Sequence, residues 1–192
     1  MTKIRLGLAL CGSYCTYDKA FEAAERLCAK YDVTPILSEN AAKTDSRFGR
    51  AEEFRARLTA LTGKPVIDSI PAAEPIGPGA ALDLLLIAPC TGNTLAKLAA
   101  GVTDSCVTMA AKAQLRNGRP VVIAVSTNDA LSGTAPSLGE LLNRKNLYFV
   151  PFYQDDPVKK PTSLLADFDR IEETVEAALQ GKQAQPLLAR RP

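Results

Sequence analysis

Histidine is absent from all 192 residues, which removes the usual general base, the usual zinc ligand and every Ser–His or Cys–His nucleophile pair. The five cysteines, Cys11, Cys15, Cys28, Cys90 and Cys106, include no Cys-x-x-Cys pair. An odd set without a secretory signal reads as free thiols in a reducing compartment. Neither sign of charge is in excess: 23 basic residues against 21 acidic leave +2, so no basic stripe is present and nucleic acid is not an expected partner. No apolar run approaches the roughly 18 residues of a membrane helix, and a strand begins just after Met1, so a cytoplasmic protein without a membrane partner is expected. The Gly-x-Gly-x-x-Gly fingerprint and the Gly-Lys-Ser/Thr phosphate loop are also missing, which favours a mononucleotide over NAD or ATP. With so few side chains suited to unaided chemistry and no metal set, a cofactor is expected to carry it.

What is present is a regular alternation of strand and helix. Ile4 to Leu10 is a short apolar strand that breaks at Cys11-Gly12-Ser13, and Phe21, Ala24, Leu27 and Cys28 then recur at helical spacing. Val33 to Leu37 forms a second strand ending at Ser38. Asn40 to Arg50 is polar, and Phe54, Leu58 and Leu61 mark a helix closed by Gly63. Val66 and Ile67 suggest a short third strand, and Pro71 to Gly79, rich in proline and glycine, a loop. Leu82 to Ala88 reads as a central parallel strand covered on both faces, followed by a helix over Leu95 to Ala100. A helix over Asp104 to Leu115 stops at Asn117-Gly118, Pro120 to Val125 is another buried strand, and Pro136 to Asn143 a short helix. Leu147 to Val150 is the last strand expected. Phe168, Ile171, Val175 and Leu179 line a terminal helix ending at Gly181, and Gln183 to Pro192 reads as a loose tail. The pattern predicts one domain over residues 1–192: an α/β three-layer αβα sandwich with a doubly wound parallel sheet.

In such a sheet the turns Gly12-Ser13-Tyr14, Ser38-Glu39-Asn40 and Pro89-Cys90-Thr91-Gly92-Asn93-Thr94 leave strand carboxyl ends on one edge and can surround one ligand. Gly92 suits close approach of backbone to a ligand, and the hydroxyls of Ser13, Ser38 and Thr91 with helix N-termini can hold a monophosphate without a dedicated lysine. Helix capping explains the Pro89 to Thr94 turn as well, and ordinary turn chemistry explains Ser13 and Ser38 taken singly.

Pro89 to Thr94, followed by Leu95-Ala96-Lys97-Leu98-Ala99 and Gly101-Val102-Thr103-Asp104, resembles the Pro-Ala-Ser-Ala-Asn-Thr segment of the flavin-dependent cysteine decarboxylase superfamily, over most of residues 3–150. The wider pattern is similar to the dipicolinate synthase branch of that superfamily. It takes in Met109 to Ala113, Ser126-Thr127-Asn128-Asp129-Ala130, Phe149 to Pro161 and Glu176 to Gln183. The resemblance implies a flavodoxin-like, Rossmann-like fold that binds FMN and assembles as a trimer or a multiple of one. Carried over residue by residue, the FMN contacts are Gly12, Ser13, Tyr14, Ser38, Pro89, Cys90, Thr91, Gly92, Asn93, Thr94 and Ser126, with Thr108 and Met109 bordering the ring. Cys90 stands where the superfamily has alanine, and either lies against the flavin ring or is a small buried hydrophobe. The decarboxylase histidine and the Pro-Ala-Met-Asn segment are missing, the latter replaced by Val125-Ser126-Thr127-Asn128, which disfavours cysteine decarboxylation.

The branch implies oxidation of dihydrodipicolinate, or its hydroxylated tetrahydro precursor, to pyridine dicarboxylate in sporulation. It also implies a partner chain, the A subunit of dipicolinate synthase, on which NAD(P) would sit. For the dianionic substrate the candidate contacts are Asn128, Lys112, Arg116, Lys159 and Lys160. Lys112 and Arg116, four apart, also suit the solvated C-terminal face of a helix. No catalytic acid or base is assigned. The alternatives are a flavin-carrying or activating protein without its own catalysis and, against the missing glycine fingerprint, a nicotinamide-using reductase.

Overall fold

The computed structural model describes residues 3–79 and 81–190. Four parallel strands build its centre: β1 (Arg5–Leu10), β2 (Asp32–Leu37), β3 (Leu84–Cys90) and β4 (Val121–Thr127). They lie in the order β2-β1-β3-β4, with registers such as Leu8 beside Pro35 and Leu86 beside Val122. All seven residues of β3 are buried, as a central strand covered on both faces demands. Alternate side chains serve two cores. Leu85 and Ile87 pack under the helices α5 (Gly92–Ala100), α6 (Cys106–Arg116) and α7 (Ala135–Leu142). Leu84, Leu86 and Ala88 face α1 (Tyr17–Lys30), α3 (Ala51–Thr62) and α8 (Ile171–Leu179). The sandwich is the expected one. The helix stops at Gly63 and Gly181 adopt φ of +67° and +73°, a conformation in which glycine carries no Cβ penalty.

Four segments depart from the sequence reading. Val66 and Ile67 form no strand of their own; Ile67 makes one isolated bridge to Ile36. The segment 71–79 is not a plain loop, because α4 (Ile70–Ala73) and a 3-10 turn over Glu74–Ile76 begin it. Proline at the first turn of a helix loses no hydrogen bond, so Pro71 and Pro75 are compatible with both. β5 (Leu147–Phe149) is not the last strand. A hairpin follows, β6 (Phe152–Asp156) and β7 (Lys160–Ala166), and β7 pairs antiparallel with the end of β4 through Ser126↔Leu165 and Thr127↔Leu164. The sheet is therefore mixed, with seven strands. Finally, the tail is not loose where it is described. The Gln183 amide donates to the Phe149 carbonyl at 2.6 Å and accepts from its N–H at 2.8 Å, and Leu188 bridges Phe152; Arg191 and Pro192 lie outside the described residues. Because β5 covers only the lower half of β4, the hairpin takes the space beside the upper half, next to the carboxyl rim.

Candidate functional site

The rim is shaped by what each strand does on leaving the sheet. After β1, the Cys11 N–H donates to the Pro89 carbonyl at 3.1 Å, tying the first turn to the third. After β2, Ser38 caps the short helix α2 (Glu39–Lys43) by accepting from the Ala41 N–H. After β3, Thr91 caps α5 by accepting from the Thr94 N–H. These turns enclose a cavity of about 310 Å³ that Gly12, Ser38, Asn40, Thr91, Asn93, Thr94 and Ser105 help line. A second cavity of about 360 Å³ adjoins it across Gly12 and Thr91; its lining includes Ser13, Cys15, Thr16, Lys19, Ser126, Thr127, Asn128, Asp155, Lys160 and Ser163. Each is of the size of a small-molecule site. Ser13, in the turn after β1, and Ser126, in β4, meet at 2.7 Å between their hydroxyls.

The donor set fits a flavin mononucleotide. A Cβ built on Gly12 would meet nothing nearer than the Tyr14 hydroxyl at 3.6 Å, so no internal packing calls for the missing side chain, and the backbone there faces both cavities. Hydroxyls of Ser38 and Thr91 with the N-terminus of α5 suit an oxyanion. The carboxylates in the cleft are already engaged. Glu39 accepts from the Cys106 N–H at 2.9 Å, Asp104 pairs with Lys97 at 2.8 Å, and Asp155 with Lys160 at 2.9 Å. The last pair raises the Lys160 value, first through the hydrogen bond to Asp155.

Gly92 has a different reason to be glycine than the one expected. A Cβ there would stand 2.7 Å from Thr134 Oγ1 and 2.8 Å from both Asp129 Oδ1 and Thr127 Oγ1. Asp129 accepts from the Thr127 and Thr134 hydroxyls at 2.6 and 2.7 Å, and those two bonds, Thr127 first, hold its carboxyl below the ordinary range. Gly92 seats α5 against this knot and lines neither of the two rim cavities.

The other sequence candidates are dispersed. Pro89 and Cys90 end β3 inside the sheet. Cys90 is fully buried beside Cys11, and burial, then the hydrogen bond to Cys11, pushes its thiol well above the ordinary value. Tyr14 packs on Tyr17 at 5.3 Å between ring centroids and donates to the Asn40 carbonyl at 2.9 Å, bridging two rim turns. Thr108 is buried behind Ser105, to which it is bonded at 2.9 Å. Lys112 and Arg116 line two other recesses, of about 340 and 240 Å³, the first with Thr108 and the second with Met109; neither recess shares a lining residue with the rim cleft. Lys159 is exposed at the hairpin turn, its N–H donating to Asp156, while Lys160 and Asn128 do reach the second cavity. Sequence reasoning overlooked Lys19. Its signal was a cation in the first turn of α1, where the helix dipole favours anions.

A Flavoprotein family model matches residues 1–153, and the chain belongs to that family. It is a homologue of the B subunit of dipicolinate synthase, being 48% identical to that protein of Bacillus subtilis (strain 168) over 185 residues, 96% of this chain and 92% of the relative. The crystal structure of the dipicolinate synthase B subunit from Bacillus halodurans matches it with a TM-score of 0.90 at 44% identity over the whole of both chains. DmrB from Burkholderia xenovorans, a cubic protein cage for redox transfer solved in complex with FMN, shares the fold at TM-score 0.68 and 17% identity, over 93% of this chain and 96% of that one. Among the described residues no helix is long and apolar enough to cross a membrane.

Proposed function

We propose that this chain is the FMN-binding component of a dipicolinate-forming oxidoreductase, working in the cytoplasm with the A subunit of dipicolinate synthase and assembled with copies of itself. The observation that carries the reading is the pair of cavities joined across Gly12 and Thr91, one furnished for an oxyanion and the other for a polar planar body. Membership of the Flavoprotein family and the likeness to the B subunit support it. Bound FMN would supply a two-electron acceptor. The FMN complex and the cage of DmrB, which shares this fold, support a flavin and a homo-oligomer here, and we take that oligomer to be a trimer or a multiple of one.

The chain's own residues would act by binding and orientation. Ser38, Thr91 and the first turn of α5 hold the phosphate, and Ser13 with Ser126 offers hydroxyls to the body of the cofactor. Oxidation of dihydrodipicolinate removes two hydrogens and yields an aromatic ring, so the barrier is lowered mainly by positioning the dicarboxylate and keeping water away. NAD(P) is assigned to the A subunit. The engaged state of Glu39, Asp104 and Asp155 favours a second reading, in which this chain carries flavin and activates its partner without supplying an acid or base.

The test is to titrate the purified chain with FMN by flavin fluorescence, then mix both proteins with and without FMN and follow pyridine dicarboxylate formation. Flavin binding with flavin-dependent product supports the proposal. A chain that takes no FMN while product forms at the full rate refutes it, and flavin reduction by substrate in the absence of the partner separates the enzyme from the activator.

A further inference from the structure

We propose that Cys11 and Cys90 form a redox-active dithiol at the floor of the cavity of about 310 Å³, in which Cys11 reacts with a small hydroperoxide and Cys90 closes the product to an intramolecular disulfide. Strand register sets the pair. Ile87 lies beside Ile123 but Cys90 beside Val125, so β3 carries one extra residue between them. Ala9 of β1 stands opposite Ile87, and the extra residue brings Cys90, not Pro89, opposite Cys11. The Cys11 N–H accordingly donates to the Pro89 carbonyl at 3.1 Å, the slanted bond of a parallel ladder. Both side chains enter the same core, under α5 and α6. Neighbouring strands run about 4.8 Å apart, within the roughly 4.4–6.8 Å between the Cα atoms of a disulfide, so closure needs little backbone movement.

The two thiols are not equivalent. Cys11 is 1% exposed yet lines the cavity, whereas Cys90 is fully buried. The Cys11 sulfur accepts from the Thr94 hydroxyl at 3.3 Å, and Thr94 belongs to the first turn of α5, whose positive end favours a thiolate. The hydrogen bond with Cys90, ahead of the opposing effect of burial, holds the Cys11 thiol below its ordinary value. Cys106, the third buried thiol, is engaged elsewhere, donating to the Leu37 carbonyl at 2.8 Å. Hydrogen peroxide is small enough for a space that keeps bulky thiol reagents from the sulfur. The Cys11 thiolate attacks one peroxide oxygen; the S–O bond forms, the O–O bond breaks, and hydroxide leaves as water with the thiol proton. The Cys90 sulfur then attacks the sulfur of this sulfenic acid; the S–S bond forms, the S–O bond breaks, and the Cys90 proton departs in a second water. The two thiols lose two electrons and the peroxide gains them.

The test treats the reduced full chain carrying Cys15→Ser, which removes the exposed thiol, with hydrogen peroxide, alkylates it in denaturant and maps the linkages by mass spectrometry. A Cys11–Cys90 disulfide that dithiothreitol reverses is the expected product. Adding Cys90→Ser should leave a sulfenic acid at Cys11 that dimedone traps, and adding Cys11→Ser should leave Cys90 reduced. The linkage map needs no change at either cysteine, so it remains decisive where a variant fails to fold. A linkage through Cys28 or Cys106, no linkage at all, or oxidation of Cys90 in Cys11→Ser overturns the proposal. Peroxide enters through the cavity, so FMN at about ten times its Kd should slow the oxidation about tenfold; this arm alone rests on the flavin-linked reading above. A chain that binds FMN by fluorescence and is oxidised at an unchanged rate overturns entry through the cavity, and one that forms the linkage but refuses FMN counts against the flavin reading only.

Discussion

Gly92→Ala separates a glycine kept for ligand approach from one kept for packing. The new Cβ would lie 2.7–2.8 Å from three oxygens, against an ordinary contact of about 3.4 Å or more, and all three belong to the knot in which Asp129 binds Thr127 and Thr134. Backbone and knot must separate by roughly half an ångström. Overpacking of this kind costs about 1–3 kcal/mol, and losing one hydrogen bond to the carboxylate a further ~1.5–3 kcal/mol. The helix-propensity gain of alanine over glycine offsets about 1 kcal/mol, leaving a net loss of about 1.5–5 kcal/mol. At roughly 2–4 °C per kcal/mol for a chain of this size, Tm should fall by about 3–20 °C in a thermal melt at pH 7. The Asp129 carboxyl is held low in the fold, so the knot stabilises above the unfolded carboxylate value of about 4 and is lost as pH falls below it. The gap between wild type and variant should therefore narrow in acid. A variant whose Tm is unchanged or raised, with FMN affinity abolished, would refute this and restore the ligand-approach role.

Thr91→Val removes both the α5 cap and a rim hydroxyl; stability should drop by about 1 kcal/mol and FMN affinity by about tenfold, read by denaturant melts and flavin fluorescence. Asp83 links β1 to β3, accepting from Arg5 at 2.7 Å and from Arg119 at 2.9 Å, and the Arg5 hydrogen bond first of all lowers its pKa to about 2. A lowered carboxyl stabilises above its unfolded value and loses that contribution as pH falls towards 2. Asp83→Asn should thus cost at most about 1 kcal/mol at pH 7, solvent screening included, and little once the pH has fallen through the folded value, in paired urea titrations. A thiol reagent at pH 8 should label exposed Cys15 first and leave Cys11, Cys90 and Cys106 unmodified until unfolding, because they are buried and Cys106 is pushed up to about 12 by burial and by Glu39. Rapid labelling of Cys106 in the folded chain would contradict the structure.

The alternation of strand and helix was legible because hydrophobic periodicity is a local property. The β3 run, the spacing of Phe21, Ala24 and Leu27, and the closing Gly63 each declare themselves within a dozen residues. The rim turns followed from the same order, since parallel strands must bring their carboxyl ends to one edge. The hairpin was not legible. Its strands carry few apolar residues, Pro161 lacks the N–H of a regular ladder, and the register between β6 and β7 is irregular. It is held instead by pairing with Ser126 and Thr127, nearly forty residues away in the chain. The knot around Gly92 was hidden for the same reason. The amino-acid order alone determined the layered α/β frame and the edge at which the turns after the parallel strands gather. The fold decided which side chains share that edge, because contacts between distant residues depend on how the finished sheet is covered and leave no periodic trace in the chain.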